Sequence, residues 1–438
     1  GEGPTGIVLL LAVFLILGAY YLIKPAREGF LASSGIEALS GFELKAYSSF
    51  GQSLLLLAVI PIYDRFSSSV SRRTLITWVP LFFVSNLVFF WSLQPGLLFE
   101  RVPFVGVAFY LWVGIFNVFI IAQFWSFAAD VYTDERGRRL FPMIAIGATA
   151  GGAAGAAATD TLLESAALDT YFLLLAAAAL LALSVFLLRI ADRRGEYPGD
   201  RPRSRREEPP DLAGGLRLVF RHRLLVAAAF LVLTLNWVNT NGENFLFGSV
   251  QQALRGEASE RGLEAEAMTH FLREKTTAFY GDLFFWVNLM ALAMQSFLAS
   301  RLLRYGGFGA ILLLLPVISL ISYTAMALFP ILPVIRGMKI AENSTDYSIH
   351  NTAKQVLWLP TTTEMKYKAK AAVDTLFVRF GDGFAAATAF LATHVLTLAL
   401  PTLFAVNAAI ALAWLCLGVL VVREHRRWVE GERRTSTP

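Results

Sequence analysis

Residues Gly6–Ile23, GIVLLLAVFLILGAYYLI, run for 18 positions without one charged side chain. An α-helix rises about 1.5 Å per residue, so a run of roughly 20 such residues crosses a hydrocarbon core of about 30 Å. The pattern repeats along the chain. Further apolar runs fall at Ala46–Tyr63, Leu75–Leu93, Pro103–Ala129, Phe141–Leu162 and Thr170–Ile190, then at Leu224–Phe247, Phe279–Leu303, Phe308–Phe329, Ile331–Thr352, Ala371–Leu396 and Leu403–Val422. Over 438 residues the chain is 56% hydrophobic and only 16% charged, with a mean hydropathy of +0.56. One water-soluble core cannot hide that much apolar surface. The expectation is an all-α membrane protein with twelve transmembrane helices, and any function must reside among them.

The charged residues divide the chain further. The stretch Arg193–Asp211, RRGEYPGDRPRSRREEPPD, buries too little apolar area to fold alone and reads as a flexible tether between two sets of six. Arginines follow the second span (Arg65, Arg72, Arg73), the fourth (Arg136, Arg138, Arg139) and the eighth (Arg301, Arg304), with Lys366, Lys368 and Lys370 after the tenth. By the positive-inside rule both termini are cytoplasmic, and the net charge of +5 is an orientation signal rather than a nucleic-acid footprint. Residues 251–277 interrupt this pattern with mixed charge, and Leu263, Met268 and Leu272 near helical spacing predict a separate surface helix on the outer side. The first run lacks a cleavage site and is expected to be a retained span. The predicted organisation is a six-helix bundle over 1–190, a cytoplasmic linker over 191–216, a second bundle over 217–422 and a cytoplasmic tail over 423–438. Two pseudo-symmetric sixes joined in this way resemble the major facilitator architecture, in which the halves rock about a site near mid-membrane.

Ionisable groups inside a span cost on the order of 2.5–3.5 kcal/mol on insertion scales, so each needs a partner, a wet cavity or a ligand. At the end of the first run, YYLIKPAREGF places Lys24, Arg27 and Glu28 within about one helical turn; snorkelling to the headgroups is the alternative to a binding role. The tenth run, RGMKIAENSTDYSIHNTAK, carries Lys339, Glu342, Asn343, Asp346, His350 and Lys354. Glu342, Asp346 and His350 recur every four residues and predict one polar stripe facing a central cavity. Asn236, Asn239, Asn241 and Glu243 in the seventh run, Asp282 in the eighth, and Asp374, Arg379 and Asp382 in the eleventh complete the set. The five histidines show no paired metal spacing, Cys416 stands alone, and no nucleophile motif occurs, so no metal, cofactor or enzymatic activity is expected. Gly147, Gly151, Gly152 and Gly155 form small-xxx-small pairs, a packing device unless a phosphate-loop lysine follows.

Four patches resemble the ATP/ADP translocase family, the nucleotide exchangers of plastids and intracellular bacteria. They are Tyr21–Glu28 (YLIKPARE), Phe124–Ala129 (FWSFAA) with the glycines that follow, Ala278–Trp286 (AFYGDLFFW) and, most specific, Ala353–Asp374 (AKQVLWLPTTTEMKYKAKAAVD), which is similar to the family's TKEMAY(I/L)P stretch running into KxKGKAAID. The resemblance implies a proton-independent exchanger whose basic cavity residues match Lys24, Arg27 and Lys354, with Arg379 a further cation. The chain departs from the family pattern where Tyr110 stands in place of a glutamate and where NTNGENF replaces NLVEV, so that Glu243 matches only with a shift.

The resulting expectation is an alternating-access secondary transporter of nucleotides or a related phosphorylated anion in a bacterial inner membrane, acting as a monomer. Lys24, Arg27, Lys354, Arg379, Asn241 and Trp112 are the expected substrate contacts. Glu28, Glu243, Asp282, Glu342, Asp346, Asp374 and Asp382 are the expected gates or counter-ions. A carrier of lysolipid or phospholipid, or a membrane receptor or enzyme reusing the fold, are the competing readings.

Overall fold

A hydrocarbon layer offers no water to peptide N–H and C=O groups, so apolar runs of this length must pair them internally, as helices do. The computed structural model describes residues 2–34, 36, 38–94, 104–132, 134–165, 168–194 and 212–436. Among them only helices and short connections occur. The first six helices are α1 (Glu2–Ala32), α2 (Gly41–Ser69), α3 (Arg72–Ser92), α4 (Val105–Val131), α5 (Asp134–Asp160) and α6 (Thr170–Arg194). The second set comprises α7 (Leu212–Arg221), α8 (Arg223–Glu260), α9 (Ala265–Met294), α10 (Ser300–Leu328), α11 (Leu332–Thr345), α12 (Asn351–Trp358), α13 (Lys370–Ala372), α14 (Val378–Phe390) and α15 (Leu400–Ser436). Nine helical runs among the described residues are long and apolar enough to cross a membrane. The molecule is an all-helical integral membrane protein.

Several boundaries differ from the sequence expectation, each for a local reason. No separate surface helix forms over 251–277: α8 continues to Glu260, a turn follows, and α9 starts at Ala265. The stretch contains no proline, and Gly262 alone breaks it, with a left-handed φ of 66°. The eighth and ninth runs meet where expected, at Gly307, whose non-helical backbone (φ 68°, ψ −169°) kinks α10 between them; the π-helical turn Gln295–Ala299 lies earlier, within the eighth run. Helix α7 was not anticipated; it begins inside the expected linker, and residues 195–211 of that linker lie outside the described residues. The expected tail is not a separate element, since α15 runs on to Ser436. The tenth run is α11 and α12 joined by a π-turn at Asp346–His350.

The chain resolves into two compact units whose boundaries fall inside helices rather than only at the linker. The first comprises Gly1–Ala38, Leu55–Arg206 and Gln251–Asn288; the second comprises Leu39–Leu54, Glu207–Val250 and Leu289–Pro438. Residues 39–54 are grouped with the second unit and 251–288 with the first, so the units and the expected bundles over 1–190 and 217–422 are drawn differently at these stretches of α2, α8 and α9.

In the first unit the glycine series packs α5 against α1. A Cβ at Gly147, Gly151 or Gly155 would lie 2.7, 2.2 or 2.4 Å from the carbonyl oxygens of Leu10, Phe14 and Gly18. Backbone meets backbone because no side chain intervenes. Gly151→Ala is expected to force the two helices apart at a cost of about 1–3 kcal/mol, read as a lower melting temperature in detergent; an unchanged melting temperature would show that α1 yields freely.

Candidate functional site

In the first unit the candidate residues begin at Pro25, which lies inside α1. Proline has no N–H to give the carbonyl four residues earlier, so the Tyr21 carbonyl is released from the helical ladder. The Thr159 hydroxyl donates to it at 3.3 Å. Around this point Lys24 is buried, with its Nζ 3.9 Å from the Phe284 ring centroid, 5.1 Å from Tyr21 and 5.8 Å from Tyr20. Arg27 donates from Nη2 to Glu28 Oε1 at 2.7 Å and from Nε at 3.0 Å. Its guanidinium also sits over the Tyr110 ring at 4.5 Å. Tyr110 occupies the position where the family resemblance calls for a glutamate, and it meets the cation with a ring face instead of a charge. Arg27 and Lys24 are thus held in an aromatic setting with Glu28 nearly inaccessible, at 1% exposure.

In the second unit the polar helix is more tightly knit than its sequence suggests. Lys339 is fully buried, 2.7 Å from Glu342 Oε2 and 3.3 Å from Glu243 Oε1. Glu342 also accepts from the Tyr323 hydroxyl at 2.8 Å and the Ser319 hydroxyl at 2.9 Å. Asn343 donates to Glu243 at 2.9 Å. Gly242 makes room for this network, since a Cβ there would fall 1.9 Å from the Tyr323 hydroxyl. Glu342 is therefore part of a packed ion cluster, which corrects the expectation of an unbroken stripe open to a cavity.

Further along, the π-turn Asp346–His350 changes the angular register of the helix. Lys354 Nζ comes within 3.8 Å of Asp346 Oδ1 while keeping 42% exposure. His350 is buried, with the Trp414 ring edge-on at 6.1 Å. In α14, Arg379 Nη1 lies 3.6 Å from Asp382 Oδ2 and donates to the Ser53 hydroxyl at 3.2 Å. Asp382 accepts from Ser53 at 2.6 Å and from Thr240 at 2.9 Å.

The remaining candidates are placed otherwise. Asn241 is fully buried and donates to Asn407 at 3.1 Å, while Asn407 donates to the Val238 carbonyl at 3.1 Å; this pair links helices in the core. Trp112 lies among Phe83, Phe90, Phe109 and Phe116 at centroid distances of 5.5–5.7 Å, which assigns it to packing. Asp374 is exposed at a π-turn, and Asp282 is half-buried. Sequence reasoning overlooked the aromatic cage of Lys24 and the Ser53 and Thr240 partners of Asp382. It also left Lys339 out of the principal set, although a lysine three residues before a glutamate in a spanning helix was a legible signal.

Asp169, His270 and Glu274 bring ligand-type atoms within 4.8 Å of one another. The group has structural duties. Arg273 approaches Asp169 at 3.3 Å and Glu274 at 3.5 Å, and Glu274 accepts from the Thr170 amide and hydroxyl at the start of α6.

These features define an integral membrane protein of transporter fold with paired charges buried in its helices. Among solved structures, the nucleoside transporter NupG is similar at a TM-score of 0.62 and 13% identity, with 94% of this chain and 99% of that chain covered. The POT family transporter PepTSo is similar at a TM-score of 0.64 and 11% identity, with 97% and 98% covered. Identities this low establish the shared fold alone. More specifically, residues 316–425 match the family model described as TLC ATP/ADP transporter. "ADP,ATP carrier protein 1" of Chlamydia trachomatis is 26% identical over 125 residues, covering 24% of this chain and 24% of the relative. The carrier of Chlamydia pneumoniae with the same name is 26% identical over 123 residues, with 24% of each chain covered. The match thus spans about a quarter of the length of these relatives.

Proposed function

We propose that this protein is a secondary transporter, not an enzyme, that exchanges ATP- and ADP-type nucleotides or a closely related phosphorylated anion by alternating access. The observation that carries the proposal is the family match over 316–425, which takes in α11, the Asp346–His350 turn, Lys354 and the Arg379–Asp382 pair. The buried Lys339–Glu342 pair falls inside the region of family likeness, and the buried Lys24 and Glu28 of α1 fall outside it.

In this reading twelve transmembrane helices form two six-helix halves, both termini face the cytoplasm, and the protein works as a monomer in a bacterial inner membrane. Lys24 and Arg27 from the N-terminal half, and Lys354 and Arg379 from the C-terminal half, engage the phosphates. A nucleoside triphosphate carries about four negative charges, and charge-assisted contacts from Arg and Lys suit it in a poorly screened site. Glu28, Asp346 and Asp382 hold those cations when phosphate is absent, and substrate competes for them. Such competition makes binding and conformational change two aspects of one equilibrium. Asp282 and Asp374 complete the acidic set, while Lys339, Glu342 and Glu243 keep α11 in place.

A ligand of the folded state raises its apparent stability by mass action. ATP and ADP are expected to raise the melting temperature of the detergent-purified protein at concentrations where adenosine and lysophospholipid do not. A shift with lysophospholipid alone would overturn the nucleotide assignment.

A further inference from the structure

We infer that the first unit carries a binding site for the phosphodiester headgroup of an anionic phospholipid, in a cavity of about 360 Å³ formed by the beginning of α3 and the end of α6. Three arginines, Arg73, Arg189 and Arg193, line it together with one acid, Asp192, leaving a formal excess of two positive charges. Arg73 and Arg189 are both fixed through Nε: Arg73 donates to Asp192 Oδ2 at 2.8 Å, and Arg189 donates to the Thr77 hydroxyl at 3.2 Å. A guanidinium has five N–H donors, so a clamp at Nε orients the Nη fork and leaves it for a second acceptor. A phosphodiester monoanion matches that fork, and Thr74 adds a hydroxyl to the lining.

Location argues for a lipid rather than a soluble phosphate. The spans of α3 and α6 begin and end at Arg73 and Arg194, so the cavity lies where apolar helix gives way to charge. Trp78, also in the lining, is 66% exposed, and Phe82 one turn deeper on α3 is 59% exposed. On α6, Phe186 precedes Arg189 by three residues and is 61% exposed. The cationic cavity is thus continued on both helices by exposed aromatic surface, the outline of an amphiphile with its head in the cavity and its chains along the rings. Basic pockets between spanning helices serve anionic headgroups in this way, and tryptophan favours this depth. The site is independent of the nucleotide reading.

The test uses the full chain released from nanodiscs containing equal amounts of phosphatidylglycerol and phosphatidylcholine with identical acyl chains, with retained lipids counted by native mass spectrometry. Wild type is expected to keep phosphatidylglycerol preferentially, and R189Q/R193Q to lose about tenfold of that retention, as expected for loss of a charge-assisted contact. Arg193 is exposed at the helix end, so R193E supplies the same comparison if the double variant does not fold. Glycerophosphate added in excess is expected to leave the retained lipid in place. Equal retention of the two lipids by wild type, unchanged retention in the variants, or displacement by glycerophosphate would each overturn the assignment.

Discussion

Lys339→Met is expected to destabilise the folded protein by about 3–5 kcal/mol, the cost typical of removing one partner from a buried ion pair. The lysine is fully buried and lies within salt-bridge distance of both Glu342 and Glu243. Without it, Glu342 keeps hydrogen bonds from the neutral Tyr323 and Ser319 hydroxyls, and Glu243 keeps the one from the Asn343 amide. Hydrogen bonds from neutral groups do not cancel charge. The measurement is thermal and denaturant unfolding in detergent. K339M/E342L removes charge from both sides and is expected to recover part of the loss, as buried pairs replaced by apolar groups often do. A K339M variant that unfolds like wild type would mean that the network is wet and only loosely coupled.

Arg27→Ala is expected to lower nucleotide exchange more than 100-fold per molecule of folded protein. Two effects combine. A phosphate loses a guanidinium that binds through a planar fork, and Glu28 loses an ion-pair partner held at 2.7 Å. Truncating one partner of a buried charge pair costs roughly 2–5 kcal/mol, and about 3 kcal/mol corresponds to a factor above 100. Arg27→Lys keeps the charge but loses the fork and the stacking on Tyr110 at 4.5 Å. Its exchange rate should fall between those of R27A and wild type. Initial exchange rates in proteoliposomes, normalised to protein that elutes as a single species, decide the matter; wild-type exchange by R27A would remove Arg27 from the transport machinery.

Much of this architecture is written in local chemistry. Uninterrupted apolar runs specify helices because peptide groups in hydrocarbon have no other partner, and the spacing of Gly147, Gly151 and Gly155 signals the close backbone approach made to Leu10, Phe14 and Gly18. The acid and base content of residues 336–354 marks the helix that the family match later covers. What stayed hidden depends on contacts distant in sequence. Asp382 is bonded to Ser53 across 329 residues, and no periodicity announces such a pair. The π-turns at Gln295–Ala299 and Asp346–His350 were equally illegible, since their sequences satisfy an α-helix as well. A glutamate four residues from an aspartate predicts a shared face only if every turn is regular. Asn241 and Trp112 illustrate a different limit. Both residue types suit a nucleotide site, yet an asparagine partner and a phenylalanine cluster claim them for packing.

Counterflow in proteoliposomes tests the nucleotide-exchange proposal most directly. With the purified chain reconstituted into liposomes, external radiolabelled ATP is expected to accumulate when ADP is trapped inside and to remain outside when the lumen holds buffer alone. Absence of ATP uptake under both conditions, in vesicles shown to contain folded protein, would contradict the account.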